Sequence, residues 1–267
     1  MKGSSIPYVS SEKRYGDNGE NAFINALIQA LPSCRIKQNV IINSSDGNAE
    51  IDCLILYKNK LFAIEVKSWK GRLYERDGSF VQQKTDRWTG EVYNKQHKSP
   101  FKQLNRAIYL IKQQTKVNVW LNGVVFFDDE ESEGIFTETE YIWFKDYKKL
   151  VEYIKNDGKS SVGRNAEKFF NDCTSADFLY DKNGAKTLKG IILDDSLVFH
   201  TSRVVITRDN IDCIRIVHHL SYDELHIELI DGKLITINEE NKFLTVNDNG
   251  NYCTYALSKL DYIKIGR

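Results

Sequence analysis

Two short acidic runs sit where charge is expensive: Glu50-Ile51-Asp52 and, thirteen residues after Asp52, Glu65-Val66-Lys67, each inside an otherwise apolar, β-branched stretch. Ala49 to Tyr57 and Leu61 to Trp69 have the aliphatic and aromatic content of strands, and the polar turn Lys58-Asn59-Lys60 between them makes a hairpin the expected arrangement. Side chains alternate faces along a strand, so Glu50 shares a face with Asp52, and Glu65 shares one with Lys67. Two carboxylates and an ammonium can therefore converge. Burying a carboxylate is unfavourable unless it is paired, hydrogen-bonded or bound to a cation. A hard divalent ion suits such a pair: Mg²⁺ is commonly held by one or two protein carboxylates, with waters and phosphate oxygens completing its shell. A lysine beside it can orient or deprotonate the attacking water. The chemistry expected of this set is metal-assisted hydrolysis of a phosphodiester. The plainer alternative is a structural ion pair in which Lys67 neutralises Asp52 or Glu65 across the hairpin.

Further landmarks accompany the hairpin. Gly19-Glu20 opens an N-terminal helical pattern, the run Ile64-Glu65-Val66-Lys67-Ser68-Trp69-Lys70-Gly71 contains the second acid, Trp88 follows, and Pro100 precedes Gln103 at the start of a later helical pattern. Together they resemble the nuclease-related domain (NERD) branch of the PD-(D/E)XK nucleases, which are like restriction endonucleases in fold. The resemblance spans roughly residues 12 to 128, and Ile64 to Gly71 is its most specific part. It implies that Asp52 and Glu65 are metal ligands, that Lys67 is the catalytic lysine, and that Glu20 and Gln103 support them. On that basis the expected function is Mg²⁺- or Mn²⁺-dependent cleavage of nucleic acid, DNA ahead of RNA, in a setting such as bacterial anti-phage defence or DNA processing. Asp52, Glu65, the Val66 carbonyl and Glu20 would hold the metal. The rival is a degenerate nuclease fold that binds nucleic acid or a partner without cutting; two desolvated carboxylates would serve such a binder poorly.

The formal net charge is zero, yet residues 58 to 116 carry fourteen Lys/Arg against five Asp/Glu. A basic surface beside the acids suits a phosphate backbone, which is bound largely through Lys and Arg. Lys70, Arg72, Lys98 and Lys102 are candidate phosphate contacts, and Trp69, Tyr74, Trp88 and Tyr93 are candidate stacking partners. Residues 128 to 140 hold seven acids and no Lys or Arg, the pattern of an exposed acidic loop.

The elements that must position these residues follow from periodicity. A helix is expected from Glu20 to Leu31, a strand over Ile36 to Ile42, then the hairpin. Short strands follow at Arg72 to Tyr74 and Phe80 to Gln82, on either side of Asp77-Gly78. Pro100 suits the first turn of a helix. The nearly continuous apolar run Val117 to Phe127 reads as an interior strand, parallel to its neighbour after a helical crossover. A strand at Tyr141 to Phe144 and a helix from Asp146 to Ile154 complete an α/β, restriction-endonuclease-like core with a mixed sheet flanked by helices. Residues 1–156 are assigned to that domain. Residues 157–186 are assigned to a linker with one helix over Arg164 to Phe170 and Phe178. The short β-branched runs in 187–267 are expected to form a small antiparallel β barrel or sandwich. That segment has twelve acids against nine bases and is read as a self-association or protein-partner module.

Other chemistries fare worse. His218-His219 with His226 suggests a metal cluster, but adjacent strand residues face opposite ways. There is no GxSxG elbow and no GxxxxGK[ST] loop. The five cysteines are widely spaced with no CxxC, and read as reduced thiols. With no run of eighteen apolar residues and no hydrophobic leader at the N-terminus, no membrane partner is expected and the cytoplasm is the expected location.

Overall fold

In the computed structural model the described residues are 23–44, 46–69, 71–76, 79–86, 88–114, 119–128, 134–135, 142–161, 164–181, 187–201, 204–248 and 251–266. They fall into two compact units divided between Thr174 and Ser175.

The first unit opens with helix α1 (23–30), which buries Phe23, Ile24, Leu27 and the following Leu31 at the spacing of one helical face. Strands β1 (Arg35–Ser44), β2 (Gly47–Tyr57) and β3 (Lys60–Lys67) follow as an antiparallel meander. The β2–β3 turn is two residues, with Lys58 in the left-handed region at φ 56°. Next come β4 (Arg72–Arg76), β5 (Ser79–Thr85), β6 (Val92–His97) and helix α2 (Pro100–Gln114). Strand β7 (Leu121–Phe127) returns parallel to β3, as a helical crossover requires. Two-residue β8 (Gly134–Ile135), β9 (Ile142–Phe144), α3 (Tyr147–Asn156), α4 (Asn165–Asp172) and two-residue β10 (Thr174–Ser175) complete this part of the chain. Pairing yields a mixed six-stranded sheet, β10-β1-β2-β3-β7-β9, and a four-stranded one, β6-β5-β4-β8.

Alternation along the central strands sorts their side chains onto two cores. Leu61, Ala63, Val125 and Phe127 pack with Leu104, Ala107 and Leu110 of α2 and with Phe169 and Phe170 of α4. Phe62, Ile64, Val124 and Phe126 pack on the other side with α1 and with Leu150 and Ile154 of α3. The mixed α/β architecture with helices on both faces is therefore as the periodicity implied. Asp146 caps α3 by accepting the Lys148 and Lys149 N–H groups at 2.8 and 3.4 Å, and Ser99 stands ahead of Pro100 with its carbonyl accepting the Gln103 N–H at 3.1 Å. Residues 157 to 161 are pinned to the sheet: buried Asn122 exchanges 2.9 Å hydrogen bonds with both the N–H and the carbonyl of Lys159 and donates to the Leu61 carbonyl.

The second unit is antiparallel throughout its main sheet. Its strands are β11 (Asp177–Asp181), β12 (Thr187–Ile192), β15 (Ile211–His218), β16 (Asp223–Leu229), β17 (Leu234–Glu239), β18 (Phe243–Asp248), β19 (Asn251–Ala256) and β20 (Leu260–Lys264), while β13 (Phe199–His200) and β14 (Val205–Ile206) form a separate ribbon. The order β17-β16-β15-β20-β11-β12-β18-β19 is open: the antiparallel pairing is as expected, but among the described residues no barrel closes, which corrects the barrel form of the barrel-or-sandwich expectation. Phe178 lies in strand β11 rather than in a helix. Strands β6, β19 and β20 were also not anticipated. The β6 sequence Val92-Tyr-Asn-Lys-Gln-His97 is largely exposed and polar on both faces, so it has no apolar alternation to read.

Candidate active site

The β2–β3 ladder pairs Tyr57 with Lys60 at the turn and runs to Cys53 opposite Ile64. Beyond that pair a side chain takes over the backbone's role: Asp52 Oδ2 accepts the Val66 N–H at 2.8 Å. Asp52 lies in phase with Leu54, and Glu65 and Lys67 in phase with Leu61 and Ala63, so the three charged groups share the sheet face that α2 covers. They do meet. Lys67 Nζ contacts Glu65 Oε1 directly and lies 3.8 Å from Asp52 Oδ2. The Lys67 carbonyl in turn accepts the Asp128 N–H at 2.9 Å, which fixes the end of β3 against the end of β7.

Glu65 is the electrostatic centre of this group. It is fully buried, its Oε2 has no hydrogen-bond partner, and its carboxyl is pushed up to about 8. Burial is the main cause, the charge of Asp52 adds to it, Lys67 opposes both, and Glu50 contributes a smaller upward push. Two acids share one ammonium, so near neutral pH and without a further cation the site keeps a proton that the ion pair alone would release. An acceptor atom buried without a partner costs about 1–3 kcal/mol. That cost is what a second positive charge at Oε2 would remove. Asp52 and Glu65 thus offer a hard cation the one or two carboxylates such ions take, its other coordination positions falling to water and phosphate oxygens. Among the described residues no three His, Cys, Asp or Glu side chains cluster as a closed metal cage would need.

The other expected residues divide into three groups. Glu20 and Lys70 lie outside the described residues. Gln103 is on the first turn of α2 and exposed, beside buried Leu104. Arg72 on β4, Lys98 just before α2, and Lys102 on α2 are exposed, as a phosphate-binding surface requires, and Trp88 is 96% exposed. Arg106, from the same basic stretch, instead donates to the Asp46 carbonyl at 2.8 Å and braces the β1–β2 turn.

Trp69 takes a structural role. Its ring stacks on His97 at 4.2 Å between centroids and packs near Phe80 and Phe127. His97 Nε2 is 2.9 Å from Oε1 of Gln82, which is buried. This stack ties the four-stranded sheet to the chain two residues beyond Lys67. No local sequence signal announced it, because His97 and Gln82 sit in strands whose polarity hides their inward face. Gly71 makes the turn out of the site at φ 93°, where a Cβ would lie 2.5 Å from the Gln83 carbonyl oxygen. In the second unit His218 lies between Asp223 (2.7 Å) and Asp261 (3.3 Å), while His226 (2.7 Å) and His219 (4.0 Å) share Glu224.

No curated protein and no solved structure matches the chain. Among the described residues no helix is long and apolar enough to cross a membrane. A family model does match: that of the nuclease-related domain, NERD, a family of the PD-(D/E)XK-like nuclease superfamily, matches residues 15–128, the segment that holds the hairpin, the Trp69 stack and α2.

Proposed function

We propose that the protein is a metal-dependent nuclease, with DNA as its substrate, whose catalytic groups are Asp52, Glu65 and Lys67 on a restriction-endonuclease-like core. The observation that carries this reading is the buried, unpartnered Oε2 of Glu65 in a site already shared by Asp52 and Lys67. Mg²⁺ or Mn²⁺ would be held by Asp52 and Glu65, with the Val66 carbonyl and Glu20 as further ligands, and supplies Lewis acidity toward the scissile phosphate and acidification of the attacking water.

The chain's own residues do the rest. Asp52 is oriented by the Val66 N–H, which gives its carboxylate a fixed direction. Burial of Glu65 removes water that would compete for its oxygens. Lys67, freed from Glu65 Oε1 as the site fills, directs its ammonium at the attacking water and at the negative charge that develops on the phosphate. Gln103 orients a ligand or touches phosphate, and Lys70, Arg72, Lys98 and Lys102 hold the backbone of the nucleic acid. Residues 187–267 are assigned to self-association or a protein partner, and the whole to an anti-phage or DNA-processing role.

The test is cleavage of plasmid, linear and single-stranded DNA and of RNA in Mg²⁺, Mn²⁺ or EDTA, with Glu65→Gln and Lys67→Ala alongside. Activity that needs the divalent ion and drops at least about a hundredfold in both variants is the expected result. Undiminished cutting in EDTA, or by either variant, refutes the assignment.

A further inference from the structure

A tryptophan 96% exposed is unusual on a folded surface, and Trp88 is held there by design of the turn around it. The six residues 86–91 connect β5 to β6, from the Thr85–Val92 pair. Asp86 organises them: its N–H donates to the Glu91 carbonyl at 2.8 Å, its carbonyl accepts the Gly90 N–H at 3.0 Å, and its Oδ1 accepts the Trp88 and Thr89 N–H groups, both at 2.8 Å. Those N–H bonds hold the Asp86 carboxyl below the ordinary carboxylate range. The tip is therefore a built, hydrogen-bonded turn that presents an indole to solvent.

The strands below continue the pattern. Cross-strand partners face the same way, so Lys84 and its partner Tyr93, then Gln82 and its partner Lys95, then Phe80 and His97 lie on one face of the hairpin. At the inner end of that face His97 stacks on Trp69, two residues from Lys67. Moving outward along β6, the face presents Lys95, then half-exposed Tyr93 with Lys84, then the Trp88 tip. From His97 to Val92 the strand rises about 17 Å, a reach of a few nucleotides. Among the described residues of β4 to β6 and their connections the acids besides Asp86 are Glu75 and Glu91, and the Asp86 carboxylate is directed into its own turn.

We propose that this hairpin is a stacking platform for unpaired nucleotides: Trp88 and Tyr93 take bases by their faces while Lys84 and Lys95 take the intervening phosphates. The substrate of the carboxylate site is then nucleic acid with a single-stranded segment, a deepening that rests on the nuclease reading above. The reason is geometric. An exposed ring can stack only on a base whose face is free, and within a continuous duplex both faces are covered by neighbouring pairs. Cations spaced between aromatic rings match a charged backbone with flat bases, which an apolar peptide would not use.

The full chain carrying Glu65→Gln, to prevent cutting, is titrated in EDTA against labelled oligo-dT and against a duplex of equal length, with Trp88 intact, Trp88→Phe and Trp88→Ala. The expected result is tighter binding of oligo-dT than of duplex, a loss of about tenfold for oligo-dT in Trp88→Ala, near-retention in Trp88→Phe, and under about twofold change on duplex. Unchanged oligo-dT binding in Trp88→Ala, or an equal loss on both forms, overturns the platform, as does capture of neither form. Because Trp88 packs so little of its surface, the circular dichroism melt of Trp88→Ala is expected to match the parent. Cleavage by the unmutated chain in Mg²⁺ separates the two readings. Selective binding without cutting leaves the platform standing and removes the nuclease; cutting with no Trp88 effect does the reverse.

Discussion

At the scale of single residues, the site is governed by one carboxyl whose surroundings oppose its charge. Glu65 titrates near 4.5 in an open chain and at about 8 in the folded protein without metal, so the folded state holds its proton the more tightly of the two. Stability contributed by that proton is fully present below the unfolded value and is lost as pH rises through the folded one. In EDTA the melting temperature should therefore decline between about pH 4.5 and pH 8, and Glu65→Gln should flatten that decline because an amide stays neutral. A slope unaltered in Glu65→Gln would place the titrating group elsewhere. Added Mg²⁺ should raise the melting temperature of the parent, most strongly at the alkaline end, and should do so much less in Glu65→Gln.

Among secondary-structure elements, close approach matters more than propensity. Helix α2 sits tightly on β7 because position 123 is glycine: a Cβ there would fall 2.8 Å from Ile108 Cδ1 and 3.3 Å from Leu104 Cδ2. Both are ends of flexible side chains that can rotate aside, so Gly123→Ala should destabilise the first unit by no more than about 1 kcal/mol, measured by denaturant unfolding. Buried Asn122 holds Leu61 and both backbone groups of Lys159, so Asn122→Ala strands several partners and should cost a similar amount, about 1–3 kcal/mol. At the outer hairpin, Asp86→Ala removes the acceptor for the Trp88 and Thr89 N–H groups. The expected effect is on binding of oligo-dT with little change in melting, since the turn is on the surface; a large melting shift with intact binding would contradict the platform.

For the molecule as a whole, each unit has its own core and its own polar anchor. In the second unit Asp177, fully buried, accepts two bonds from Arg208 (2.7 and 3.3 Å) and one each from the Ile192 and Gly266 N–H groups, both at 2.8 Å. Burial nonetheless leaves its carboxyl raised, against the downward pull of Arg208 and those N–H groups. Asp177→Ala leaves Arg208, in a mostly buried place, with only the exposed carboxylate of Asp194 at 4.0 Å, and should destabilise this unit by about 3 kcal/mol. All four tryptophans lie in the first unit, so far-UV circular dichroism should register the loss while tryptophan fluorescence follows the other unit separately.

Much of the first unit was legible in the sequence because its signals are local and periodic. The hairpin, the shared face of Glu65 and Lys67, the Pro100 start of α2, the apolar run of β7 and the Asp146 cap each depend on a few neighbouring residues. Strands β11, β19 and β20 and the open order of the second sheet were not legible, since their pairings join residues such as Leu179 with Ile263, far apart in the chain. The residue types at 50–52 and 65–67 determined that acids and a lysine would share strands. Only tertiary structure decided that Asp52 replaces a backbone partner for Val66, that Glu65 loses all contact with water, and that Trp88 keeps nearly all of its own. Solvation depends on what packs above a side chain, and that is set by distant segments rather than by sequence neighbours.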